Sequence, residues 1–206
     1  MSGFSLPDIF HTRLCDAHII ARDLVSKISS KKPIDLAKDI IPEIEARLSI
    51  ENDCTYKVNC LQRSWEGEQI DGMILRYNDH SDIFYSAKRN HCWRRFIIAK
   101  EISHLLIDTN KSDFSSTENI EDLVESLINN LPSKPHVAEL LASEQVAQII
   151  AAEILFPFSE WEENIKKVNN GSTYLKIATE YRVPEKIVEL CLSSKKNLYN
   201  LLKDIK

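Results

Sequence analysis

Apolar side chains recur at helical spacing between residues 7 and 29, through Ile9, Leu14, Ile19, Ala21, Leu24, Val25 and Ile28, with His18 inside the same run. That spacing predicts an amphipathic helix. Lys31, Lys32 and Pro33 interrupt it, and Asp35 is the expected start of a second helix through Leu36, Ile40, Ile41 and Ile44 to about Leu48. The pattern then changes character. Thr55 to Leu61 and Gln69 to Tyr77 are rich in β-branched and large apolar residues, with Glu66-Gly67 as the expected turn between them. Asn78 to Ser81 is a second turn signal, after which Ile83, Phe84 and Tyr85 predict a third strand. A helix is expected from about His91 to Ile107, followed by a polar loop at 108–117 and an acidic amphipathic helix from Glu118 to Asn130. After a break at Leu131 to Pro135, a long apolar helix runs from Val137 to Leu155 and ends at Phe156-Pro157. The tail from Ser159 reads as three or four short helices.

Composition narrows the class without naming it. The chain has 206 residues, enough for one substantial core with a helical appendage. Four glycines and seven prolines exclude a low-complexity or collagen-like chain. A net charge of −5 supplies no global basic footprint for nucleic acid. No apolar run is long enough for a membrane span, and the N-terminus lacks the basic, apolar and small-residue segments of a signal peptide. A cytoplasmic location is therefore the expectation. The five cysteines (Cys15, Cys54, Cys60, Cys92 and Cys191) are scattered, with no C-x-x-C, and read as small buried hydrophobes. The C-terminal unit around Tyr181 mixes Glu180, Glu185 and Glu189 with Arg182 and Lys186, a poor charge balance for phosphate contact.

The candidate chemistry lies on the helix at 91–107, which carries Lys100, Glu101 and His104. Residues 100 and 104 are four apart and point the same way from a helix, with Glu101 close to the same face. In the zinc-protease signature H-E-x-x-H, two histidines at that spacing bind the metal and the glutamate activates its water. Here the first histidine is a lysine. Taken alone, E-x-x-H is weak evidence and fits an ordinary buried helix with a hydrogen-bonded histidine better than a metal site.

Two blocks together carry a resemblance to the ImmA/IrrE family of zinc metallopeptidases. In that family, R-x-R-F-T-x-A-H-E-x-G-H is followed by E-x-x-A-N-x-F-A-A-E-L-L-M-P. The first block is matched by Arg94, Arg95, Phe96, Ala99, Glu101 and His104. The second is matched by Glu144, Ala147, Ala151, Ala152, Glu153, Leu155 and Pro157. The resemblance spans about residues 33–193. It implies an α+β fold: a zincin-like core with a small antiparallel three-stranded sheet packed on helices, and additional N- and C-terminal helices. It divides the chain into a helical extension at 1–30, a metallopeptidase-type domain at 31–158 with an insertion within 105–135, and a helical subdomain at 159–206.

The resemblance also implies roles for particular residues. Glu101 takes the place of the catalytic base, His104 and Glu144 those of metal ligands, and Lys100 stands at the first ligand position. Ser103 replaces a glycine and Gln148 an asparagine. A lysine is an ammonium ion at neutral pH, with no lone pair for a metal, and a catalytic zinc takes three protein ligands and a water. Zinc is therefore expected to be absent or weakly bound, with the Lys100 ammonium substituting for its charge and pairing with Glu101 or Glu144. The expected protein is a metal-poor pseudoprotease. The alternatives are an active zinc endopeptidase completed by His80, His91, Cys92 or a deprotonated Lys100, and a non-enzymatic interaction protein of the toxin–antitoxin or defence type. The resemblance points to a protein partner, a helix-turn-helix regulator or another operon-encoded protein, with roles in stress or defence on phage or mobile elements.

Overall fold

A computed structural model describes residues 6–28, 32–65, 70–107, 115–118, 137–193, 198–203 and 205. Helix α1 (Leu6–Ser26) leads to a π-helical turn at Leu36–Ile40 and then α2 (Ile41–Asn52). Asp35 starts this second unit as the pattern requires, its carboxylate accepting hydrogen bonds from the Ala37 and Lys38 amides. Asp53 ends it in the left-handed conformation at φ 51°. Strands β1 (Lys57–Arg63), β2 (Ile70–Arg76) and β3 (His80–Ser86) follow, then α3 (His91–Ile107), a short β4 (Ser115–Glu118) and α4 (Val137–Leu155). A 3-10 turn at Phe158–Glu160 opens the tail of α5 (Trp161–Asn169), α6 (Tyr174–Tyr181), α7 (Glu185–Leu192) and α8 (Leu198–Leu202). The expected α+β class is the observed one.

The sheet departs from the expectation in two respects. Its order is β1-β3-β2-β4, so a fourth strand joins the three read from the sequence. It is also mixed. β2 and β3 are joined tightly through Tyr77 to Asp79 and pair antiparallel, whereas β1 runs parallel to β3, with Lys57 opposite His80 and Arg63 opposite Ser86. The physical reason is that β1 adds to the far side of β3, so β2 becomes the connection that a parallel pair always needs. β4 pairs antiparallel with the other edge of β2, with an irregularity between Ile70 and Gly72. The expected turn at Glu66-Gly67 lies outside the described residues, as does the expected acidic helix, apart from Glu118, which ends β4.

Two helices organise the core. From Gln145 to Leu155 every residue of α4 is buried, whichever way it faces. It packs against α3 on one side and α1 on another. Phe96, Ile97, Ala99 and Ile102 of α3, and Ile150, Ala151, Ala152 and Ile154 of α4, have no exposed surface. Leu14, Ala17 and Ala21 place the inner face of α1 in the same core, and Ile74 and Ile83 bring in the sheet. In the tail, Trp161 is fully buried and donates from its indole N–H to the Phe156 carbonyl at 2.8 Å. The C-terminal pair α6 and α7 turns inward through Ile177, Tyr181, Ile187 and Val188. The five cysteines are free thiols, Cys191 buried and the rest half-buried. Among the described residues no helix is long and apolar enough to cross a membrane.

Candidate functional site

α3 starts where Asn90 Oδ1 accepts a hydrogen bond from the Trp93 amide at 3.1 Å, an N-cap contact. The two arginines that open the motif tie the helix to its neighbours. Arg95 donates to the Ile34 carbonyl at 2.8 Å and Arg94 to the Gln62 side chain in β1 at 3.2 Å. From Ala99 to Leu105 every residue of α3 is buried, including Lys100, Glu101, Ser103 and His104. Ser103 satisfies its hydroxyl inside the helix, donating to the Ala99 carbonyl at 2.8 Å, and so leaves no orphan group.

Helical periodicity puts residues 100 and 104 one turn apart, and α4 brings Glu144 to both. Lys100 Nζ lies 3.0 Å from Glu144 Oε2 and 3.1 Å from Glu101 Oε1. His104 Nε2 lies 3.1 Å from the other Glu144 oxygen. The Glu144 carboxylate therefore bridges an ammonium and an imidazole. Lys100 and Glu101 have no exposed side-chain surface, while the Glu144 side chain keeps 20%. All four sequence-predicted site residues converge within ion-pair distance. The substitute ligands do not join them. His80 opens β3 and bonds Asp79 at 2.7 Å, while its ring stacks on Tyr77. His91 and Cys92 form the first turn of α3, some 13 Å along the axis from Lys100 at the usual helical rise.

Burial works against the charge of each ionised member, and the partners outweigh it. Desolvation pulls the Lys100 ammonium down, but the Glu101 and Glu144 carboxylates hold its pKa above the ordinary lysine value. Desolvation likewise raises Glu144, yet the His104 hydrogen bond and the Lys100 charge bring it from 4.5 down to about 2. The arrangement favours charged Lys100 and charged Glu144 across neutral pH.

The strand below the helix contributes residues that the motif does not mention. A Cβ on Gly72 of β2 would fall 2.5 Å from Ile97 Cγ2 and 2.7 Å from Glu101 Oε1, so only glycine lets β2 lie this close to the site. Arg76 donates to the His104 carbonyl at 2.7 Å, fastening β2 to the same turn of α3. One residue before Gly72, buried Asp71 is held by both arms of Arg89, at 2.6 and 2.7 Å. A glycine inside an apolar strand run was the one sequence signal for this close approach. Nothing marked Arg76 or Asp71.

These residues do not fit a catalytic zinc. An ammonium nitrogen occupies the gap between the Glu101 and Glu144 carboxylates, and with Glu101 kept as the base the donors left among the described residues are the His104 imidazole and the Glu144 carboxylate, short of the three protein ligands zinc requires. Among the described residues, no group of three or more His, Cys, Asp or Glu side chains is arranged to hold a metal ion. The site can instead hold a cation of its own and link two helices through it.

Comparison with known proteins adds a distant structural likeness. No protein-family model matches the chain, and no curated relative matches it. A solved structure of a Mycobacterium tuberculosis transcriptional regulator aligns over 89% of this chain with 14% identity and a TM-score of 0.49. The chain spans about half of that regulator, 49% of its length.

Proposed function

We propose that this protein is an ImmA/IrrE-like metallopeptidase-type fold in which a lysine ammonium has taken over the metal's structural task. On this reading it acts by binding a partner protein and not by cutting one. The observation that carries the proposal is the position of Lys100 Nζ, fully buried and within 3.1 Å of both Glu101 and Glu144. In a zinc enzyme the cation neutralises these carboxylates and binds the attacking water. An ammonium neutralises them equally well, using its N–H groups as donors, but it offers no open coordination position. Glu101, which would be the general base, is engaged by that ammonium. The electrostatic framework joining α3 and α4 is thereby kept while the chemistry is lost.

The partner class follows from the resemblance: a helix-turn-helix regulator or another protein encoded in the same operon. The test is metal content measured by elemental mass spectrometry on protein purified without chelator or metal resin. Wild type should carry far less than one zinc per chain, and Lys100→His, which restores a third ligand beside His104 and Glu144, should approach one. A wild-type protein with stoichiometric zinc would refute the proposal, and so would a folded Lys100→His protein that binds none. Glu101→Gln separates the functional outcomes, since it should leave partner binding intact and would abolish activity only in a protease.

A further inference from the structure

The sheet edge beside the Lys100 site is filled by the chain itself. β2 is the strand that lies against that site, with Gly72 beside Ile97 and Glu101 and with Arg76 donating to the His104 carbonyl. The peptide groups of β2 face two ways. Tyr77 donates its amide to the His80 carbonyl at 2.8 Å, so these two residues form the bonded pair that closes the hairpin of β2 and β3. Bonding direction alternates along an antiparallel strand, so Met73 and Leu75 also turn their N–H and C=O groups to β3. Gly72 and Ile74 turn theirs the other way, where β4 sets Thr117 opposite Gly72 and Ser115 opposite Ile74. β4 therefore covers the peptide groups that run past Glu101.

β4 is lightly built for that position. It has four residues, Ser-Ser-Thr-Glu, none of them apolar. Its register with β2 is irregular between Ile70 and Gly72. Among the described residues its one substantial neighbour is β2, whereas β2 and β3 also pack on α3, and β1 on α2. A short strand without an apolar residue gains little beyond its main-chain bonds and belongs to the low end of local stability. Main-chain bonds carry no side-chain identity, so another extended chain can make the same ones.

We propose that β4 is a strap on a docking edge, and that an extended, serine- and threonine-rich segment of a partner protein replaces it, pairing antiparallel with β2 at Gly72 and Ile74. The occupant is read from β4 itself, because this edge already takes an antiparallel strand of small polar residues. Close packing at Gly72 agrees with it: cross-strand neighbours share a face, and on the α3 side of Gly72 even a methyl group meets Ile97 and Glu101. The proposal takes its natural occupant from the partner-binding reading of the Lys100 site. Strand exchange is measured without metal, however, so it and zinc content can fail separately.

Two measurements on the full chain test it. In amide hydrogen exchange followed by NMR, the Gly72 and Ile74 amides, which face β4, should exchange at least about tenfold faster than those of Met73 and Leu75, which face β3. Equal protection would overturn the proposal, since β4 would then open only with the whole sheet. The second measurement uses a fluorescent synthetic peptide of residues 113–120, D-F-S-S-T-E-N-I. Thr117→Pro removes the amide opposite Gly72 and disables the chain's own strand. Fluorescence anisotropy should show the peptide binding Thr117→Pro, and wild type at least about tenfold more weakly, because the tethered β4 competes at high effective concentration. The same peptide with proline at the Thr117 position should bind neither. No binding to Thr117→Pro at millimolar peptide, equal binding to wild type, or equal binding of the proline peptide would each overturn the proposal. So would a Thr117→Pro chain that circular dichroism shows unfolded, because a strand that a partner replaces cannot be essential to the fold.

Discussion

Replacing Lys100 by methionine keeps the length and most of the volume of the side chain while deleting its charge. The consequence can be sized from Glu144. Its carboxyl falls from 4.5 to about 2 in the folded protein, and with each pKa unit equal to about 1.4 kcal/mol its partners stabilise the ionised form by about 3 kcal/mol. His104 supplies part of that, but Lys100 also neutralises Glu101, 3.1 Å away and fully buried. Removing one member of a buried ion pair usually costs about 3–5 kcal/mol, because the partner charge stays behind. Lys100→Met should therefore lose about 3–5 kcal/mol in urea unfolding at pH 7, and roughly 10 °C in Tm for a chain of this size. The penalty has a pH signature that a packing defect lacks. Without the ammonium, Glu144 binds a proton more readily in the folded state, so the deficit should shrink to under about 2 kcal/mol at pH 4. A loss below about 1 kcal/mol at pH 7, or the same loss at both pH values, would refute the electrostatic reasoning.

Three other outcomes follow from the same geometry. Because Glu144 has a depressed folded pKa of about 2, its contribution is present above pH 4.5 and lost as the pH falls from there towards 2; Glu144→Gln should flatten that part of a stability–pH curve measured by urea titration. Gly72→Ala drives a methyl group into Ile97 and Glu101, which should cost about 1–3 kcal/mol in thermal or urea unfolding; a neutral result would show that β2 can move away from α3. Asn90→Ala removes the cap on the Trp93 amide and should destabilise by about 1 kcal/mol, with Asn90→Ser recovering most of it.

Much of this molecule was written in local pattern. The apolar spacing of residues 91–107 predicted α3 with its observed ends, and the three strand signals fell on β1, β2 and β3 within a few residues. Four-residue spacing alone put Lys100 and His104 on one face, since a helix repeats every 3.6 residues whatever surrounds it. That Lys100 offers a metal no lone pair was equally plain, because ligand chemistry belongs to the side chain.

What only the tertiary structure decided are the partnerships between residues distant in the chain. Lys100 meets Glu144 across 44 residues and His18 meets Glu153 across 135. No periodicity encodes those distances; they follow from how α1, α3 and α4 pack as solid bodies. The parallel pairing of β1 with β3 arises likewise, because strand signals specify which residues extend but not on which edge a strand adds. Gly72 leaves room for a close approach, but only folding made α3 the neighbour. His18, one polar residue inside an apolar run, gave no sign in the sequence of the Glu153 carboxyl that folding sets against one of its nitrogens. Sequence determines local geometry and chemical type, whereas the meeting of distant charges is decided by packing, which sums contacts over the whole chain.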